Sequence, residues 1–214
     1  MSRVFVAEEM ALGRKVVVKV LSPELLAGVN IDRFNREIHL AARLQQAQIV
    51  PVLSAGESNG VPYYTMPFVE GESLRAKLAR KEQFTIAEVV GIVHDVTRAL
   101  AYAHERGVVH RDIKPDNVLV SGGTAVVTDF GIAKALSAAK AAASTDALTQ
   151  LGMSIGTPTY ISPEQAAGDP EVDARSDIYS LGGRAYEVLA GRPPFSDRTP
   201  RRTIVAHLTE KPAP

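Results

Sequence analysis

The densest chemistry in the chain lies in eight consecutive residues, His110-Arg111-Asp112-Ile113-Lys114-Pro115-Asp116-Asn117, and in Asp129-Phe130-Gly131, which begins twelve residues after Asn117. Asn117 and Asp129 offer hard oxygen donors from two neighbouring stretches, the kind of ligand a small divalent cation takes. Asp112, five residues before Asn117, can accept the proton of a hydroxyl. Lys114 can steady negative charge on a transferring group. Movement of a phosphoryl group from ATP to a hydroxyl needs these functions and little covalent chemistry from the protein. One aspartate in such a place is usually a turn or cap residue. Two motifs in order, with a hairpin signal between them, are not explained that way.

The elements that must position these groups follow from the pattern. Arg3 to Ala7 and Lys15 to Leu21 are rich in β-branched residues, with Leu12-Gly13-Arg14 as a turn, so a hairpin is expected. From Asp32 to Gln46, Phe34, Ile38, Ala41 and Leu44 fall at helical spacing. Ile49 to Ala55 and Tyr63 to Val69 read as two further strands around the turn-rich Glu57 to Gly60. The chain then turns helical. A short helix is expected from Glu72 to Lys81. A long one opens at Thr85, where Glu88 completes a capping box, with Val89, Ile92, Val96, Leu100 and Ala103 as its buried stripe. Val118-Leu119-Val120 and Ala125-Val126-Val127 flank Ser121-Gly122-Gly123-Thr124, a hairpin. Residues 134–156 are rich in Ala, Ser and Thr and lack a pattern, which predicts a mobile loop. Ser176 to Ala190 reads as an apolar helix closed by Gly191, and Arg201 to Leu208 as a short final helix. A sheet-rich first third and a helix-rich remainder imply an α+β pair of lobes.

With these motifs in place the sequence resembles a bacterial-type serine/threonine protein kinase over nearly its whole length. The resemblance implies a two-lobed fold with an antiparallel-sheet N-lobe over 1–69, a hinge at 66–71, a helical C-lobe over 70–214 and an activation segment over 129–164. It implies ATP, with Mg²⁺ or Mn²⁺, and proteins carrying Ser or Thr acceptors as partners. By this resemblance Lys19 contacts the α/β-phosphates and Glu37 is its ion-pair partner. Met66 stands beside adenine, the Pro67 carbonyl and the Val69 N–H bond the adenine edge, Val4 and Val17 roof the ring, and Leu119 floors it. Asp112 accepts the hydroxyl proton, Lys114 assists, and Asn117 and Asp129 hold the metal. His110, Arg111, Phe130 and Gly131 complete the two motifs. Thr157, in the segment from Gly156 to Glu164, bridges Asp112 and Lys114. Asp177 ties the catalytic loop to the large helix, and Arg111 awaits a phosphate. Thr149 is the expected autophosphorylation site, ordering residues 134–156, and self-association would accompany that reaction.

Composition bounds the alternatives. The 214 residues carry 24 Lys+Arg and 24 Asp+Glu, which disfavours a nucleic-acid binder held by a broad basic surface. There are no cysteines, so disulfides, thiolate metal sites and a cysteine nucleophile are excluded. No apolar run approaches a membrane span and no signal peptide is visible, so no membrane contact is expected of this chain and a cytoplasmic place is expected, with a membrane anchor in a longer gene product as an open option.

The family pattern also has departures. Eighteen residues precede Lys19 and Gly13 is their only glycine, so the Gly-rich phosphate loop and the first strand are expected to be missing. The last helices, with the arginine that pairs with Glu164, are expected to be missing too. Val17 is larger than the small residue common at its place. Loss of two or three N–H contacts to phosphate is expected to cost on the order of a hundredfold in rate or affinity, and the exposed edges predict poor stability. A pseudokinase-like binding module or a gene fragment is therefore the second reading. A small-molecule phosphotransferase is the third, disfavoured by the Thr157–Glu164 segment.

Overall fold

A computed structural model of the protein describes residues 3–21, 31–131 and 158–214, with only the backbone of 31–33. Strand β1 (Arg3–Glu9) turns through Gly13, whose φ of +59° suits glycine, into β2 (Arg14–Val20). Helix α1 (Ile31–Ala42) follows. Strands β3 (Ser54–Ser58) and β4 (Val61–Pro67) are joined by Asn59-Gly60, both left-handed at φ 51° and 76°, as a two-residue hairpin turn requires. The four strands form an antiparallel sheet in the order β1-β2-β4-β3. Phe34, Ile38 and Ala41 of α1 are buried at the spacing read from the sequence, as is Leu44 beyond the helix. Phe34 and Ile38 pack with Leu21, Tyr64 and Met66 into a small core.

One strand lies elsewhere than its pattern suggests. Residues 49–53 are not strand: β3 begins at Ser54, and of them Leu53 alone bonds back to β4, its N–H donating to Thr65 O at 2.8 Å. Ile49 instead bridges Val127 in parallel, and the backbone N–H of Val50 donates to Val127 O at 2.9 Å, while Val127 N–H donates to Gln48 O at 2.8 Å. Pro51 explains the break, since it has no N–H to give a ladder. Strand β4 likewise ends at Pro67 rather than Val69.

The second sheet, ordered β5-β6-β7, comprises β5 (Glu72–Ser73), β6 (Val118–Ser121) and β7 (Thr124–Val127). Glu72 and Ser73 are thus strand where helix is expected. Helix α2 (Leu74–Ala79) starts after them because the Ser73 hydroxyl accepts from Ala76 N–H at 3.1 Å. Helix α3 (Ile86–His104) carries the expected box: Thr85 N–H donates to Glu88 Oε2 at 2.8 Å, and Glu88 N–H donates to Thr85 Oγ1 at 3.2 Å. The Thr85 N–H, and the Thr85 hydroxyl donating to the same Oε2 at 2.7 Å, hold the Glu88 carboxyl below its usual range. Its five stripe residues are all buried.

Helix α4 (Pro163–Ala167) is capped by Ser162 and Gln165. Helix α5 (Ala174–Ala190) starts two residues before the expected Ser176, because Asp173 caps it, and ends at left-handed Gly191. Helix α6 (Pro200–Thr209) closes the described chain. The larger core joins α3, α5, β6 and β7 around Val96, Leu100, Ile113, Val127, Phe130 and Leu181. Val4, Phe5 and Val6 on the edge strand β1 stay exposed.

Leu100 has 0% exposure. Leu100→Ala is expected to cost about 2–5 kcal/mol, and Ile86→Ala, on the exposed side of the same helix, about 0.5 kcal/mol or less. Urea unfolding followed by circular dichroism measures both.

Candidate active site

The loop between α3 and β6 is shaped by one buried carboxylate. Asp177 of α5 has 1% exposure. Its Oδ2 accepts the backbone N–H of His110 at 2.8 Å, and its Oδ1 accepts that of Arg111 at 2.7 Å. His104 Nε2 lies 2.7 Å from the same Oδ2. Arg111 is held at φ +67°, a left-handed conformation costly for a side-chain-bearing residue, and the two bonds to Asp177 maintain it. Gln165 Nε2 donates to Arg111 O at 2.8 Å, and Arg111 Nη2 donates to Val172 O at 2.9 Å.

His110, fully buried, lies against two neighbours. Its Nε2 is 2.8 Å from Thr128 O, a carbonyl that can only accept, so Nε2 carries the proton. Nδ1 then accepts Asp112 N–H at 3.2 Å. The ring meets Phe130 edge-on at 4.7 Å between centroids. The first motif is thereby fastened to the second.

The Asp112 side chain is 40% exposed. Its Oδ2 accepts Lys114 Nζ at 2.6 Å and Asn117 Nδ2 at 3.3 Å, leaving Oδ1 without a hydrogen bond among the described residues. Asn117, in a 3₁₀ turn at Pro115–Asn117, also donates Nδ2 to Asp112 O at 2.9 Å. Its carbonyl accepts Thr128 N–H at 2.9 Å. With its amide nitrogen spent on Asp112, Asn117 keeps the carboxamide oxygen, the harder donor, for a cation.

Asp129 is left-handed too, at φ +68°. Its Oδ2 forms an ion pair with Lys19 Nζ, and its Oδ1 accepts the Tyr64 hydroxyl at 2.8 Å. This partner of Lys19 is not among the sequence expectations. Glu37, expected to pair with Lys19, is buried on α1. The register explains the pairing with Asp129. Lys19 lies opposite both Val4 and Tyr64, so the three side chains share one sheet face, and Asp129 is drawn between the two donors of β2 and β4. Burial first, then the Asp129 charge, pushes the Tyr64 phenol upward from its ordinary pKa, so it remains a proton donor.

Val17 and Met66 are also direct partners, two residues along on the same face, with Met66 buried. Val4 is exposed, and Leu119, Pro67 and Val69 are half-buried. Gly131 takes φ +73°. Thr157 and Thr149 lie outside the described residues, as does the loop 134–156. Glu164 takes the hydroxyl of Ser176, which in turn is 3.1 Å from Ser162 Oγ.

A further cluster is invisible in the motifs. Arg184, buried on α5, donates Nη2 to Ile113 O at 2.7 Å, stacks on Tyr160 and faces Glu187 at 3.5 Å. Burial lowers its pKa to about 9. The Tyr160 hydroxyl donates to Glu187 Oε2 at 2.8 Å and accepts from Arg75 Nη2 at 2.6 Å. Burial is the main reason its pKa is pushed up to about 12. The chain after Pro158 is thus anchored to α5, α2 and the peptide that follows Asp112. Tyr64 was equally hidden; its signal is that it precedes Met66 by two residues and so shares its strand face.

An acidic oxygen, a lysine beside it, a carboxamide and a second carboxylate paired with a strand lysine are the equipment of an ATP-dependent phosphotransferase, set between an antiparallel sheet and a helical body. The protein kinase domain family matches residues 1–212, and the chain belongs to that family. It is 41% identical over its whole length to the serine/threonine-protein kinase PknB of Mycobacterium tuberculosis and to the probable serine/threonine-protein kinase PknB of Corynebacterium glutamicum. It spans about a third of those relatives, 34% and 33% of their lengths. The crystal structure of the M. tuberculosis PknI kinase domain superimposes with a TM-score of 0.73 at 33% identity, covering 93% of this chain and 73% of that one. The fold is therefore the protein-kinase fold, α+β, with sheet and helical lobes. The family uses ATP and a divalent metal. Among the described residues, no helix is long and apolar enough to cross a membrane.

His207 of α6 gives a pH test. Its Nε2 donates to Thr159 O at 3.1 Å, so Nδ1, 2.9 Å from the Tyr179 hydroxyl, accepts. Protonation would break the second bond, and burial lowers the pKa. The unfolded histidine, with a pKa of about 6.5, takes up a proton before the folded one. The His207 contribution is therefore complete above that value and lost as pH falls. Wild type should lose more stability between about pH 7.5 and 5.5 than His207→Gln, as thermal unfolding at each pH will show.

Proposed function

We propose that this chain is the catalytic domain of a serine/threonine protein kinase, transferring the γ-phosphoryl group of ATP to Ser and Thr hydroxyls of proteins. The N-lobe is residues 1–69, the hinge 66–71, the C-lobe 70–214 and the activation segment 129–164. The observation that carries the reading is the bonded chain Asp112–Asn117–Thr128 leading directly to Asp129, with Lys19 on that aspartate.

In this reading Asp112 Oδ1 receives the hydroxyl proton while Lys114, already 2.6 Å from Oδ2, keeps the carboxylate oriented and offers charge to the transferring phosphoryl group. The Asn117 carboxamide oxygen and the Asp129 carboxylate would hold Mg²⁺, or Mn²⁺. The donor set fits: two protein oxygens leave the remaining positions to phosphates and water, as small hard cations prefer. The bound cation supplies charge neutralisation at the β/γ-phosphates. Lys19 reaches the α/β-phosphates, and Glu37 of α1 orients it. Val17 opposite Met66 supports an adenine slot roofed by Val4 and Val17, floored by Leu119 and edged by the Pro67 carbonyl and Val69 N–H. Lys114 and Thr157 favour Ser/Thr acceptors, Thr149 is the autophosphorylation site, and Arg111 receives its phosphate. In this reading the domain works in the cytoplasm, where ATP is supplied.

Labelled phosphate transfer from ATP to the chain itself and to a generic basic protein tests the reading. Asp112→Asn is expected to lower transfer by at least about 100-fold. Equal signals from wild type and variant would favour a binding module instead.

A further inference from the structure

A buried tyrosine faces the carboxylate read as a metal ligand. Tyr64 is 4% exposed and packs among Leu21, Phe34, Ile38 and Met66, a site whose other walls are apolar. Phenylalanine would fill the same volume, whereas a buried hydroxyl costs free energy unless it is bonded. Its partner is Asp129 Oδ1 at 2.8 Å. We propose that Tyr64 is a positioning residue for metal binding: its hydroxyl and the Lys19 ammonium, opposite one another on β2 and β4, hold one Asp129 oxygen each and fix the plane of the carboxylate.

The argument rests on the reading of Asp129 as a metal ligand, and the geometry extends it. Asp129 stands on a left-handed backbone, a conformation that its surroundings must enforce. Lys19 alone holds Oδ2 and leaves the carboxylate free to rotate about its last torsion. The second bond, from a residue paired directly with Lys19, removes that freedom. Each oxygen accepts one hydrogen bond here and retains a second lone pair for a cation. Tyr64 acts through Asp129 and touches neither nucleotide nor phosphoacceptor. Carboxylate ligands aimed by such bonds lose roughly tenfold or more in metal affinity when the bond is removed.

The test uses the whole chain and a fluorescent methylanthraniloyl ATP analogue, titrated with MgCl₂ and separately in EDTA. Tyr64→Phe should raise the half-saturating Mg²⁺ concentration roughly tenfold, while affinity in EDTA changes by less than about twofold and the unfolding midpoint stays within a few degrees. Tyr64→Met should show the same split. In an Asp129→Asn background, Tyr64→Phe should add nothing. An unchanged or lower Mg²⁺ requirement, or equal losses with and without metal, would overturn the inference while leaving the kinase reading in place. If wild type bound the analogue no better with Mg²⁺ than Asp129→Asn does, the metal-ligand reading itself would fail and take the inference with it.

Discussion

A buried carboxylate in the first turn of a helix holds the site together. Among the described residues Asp177 bonds to neither Asp112 nor Asp129, yet it accepts the backbone N–H groups of His110 and Arg111 and keeps Arg111 in a left-handed conformation. Once that turn is fixed, His110 points inward to Thr128 O, Asp112 is presented toward solvent, and Asn117 is brought back against Asp112. A charge this deep is tolerable only because backbone and ring donors surround it. The loop between α3 and β6 thus borrows its shape from α5.

The same economy recurs at the second aspartate. Asp129 is also left-handed, and its carboxylate is satisfied from the other lobe by Lys19 and Tyr64. One carboxylate is held by the helical body and one reaches the sheet, with the Asn117–Thr128 backbone bond between them. The Arg184, Tyr160 and Glu187 cluster adds a third anchor, at the Ile113 carbonyl. The polar bonds that matter are therefore concentrated where elements meet.

Much of this was legible in one sequence. The α3 stripe, its capping box, the β6–β7 hairpin and both acidic motifs depend on local spacing and stood where the pattern placed them. The misplaced strand at 49–53 has β-branched residues but also Pro51, and its Ile49–Val50 end pairs with Val127, nearly eighty positions later. The bond from Lys19 to Asp129 is hidden for a related reason. It depends on cross-strand register and on Tyr64, and register is a tertiary quantity. Arg184 was hidden because its neighbours on α5 read as apolar, and nothing local distinguishes a surface arginine from one stacked on a distant tyrosine.

Bonds of two different kinds join the sheet lobe to the helical lobe besides the continuous chain at 66–71. At Val127 they are main chain to main chain, from Val50 N–H and to Gln48 O. At Asp129 they run between side chains, from Lys19 and Tyr64. Main-chain pairing has no substitute once it is parted, whereas water or a cation can stand in for an ammonium or a phenol. The seam between the lobes is therefore sewn at Val127 and only buttoned at Asp129.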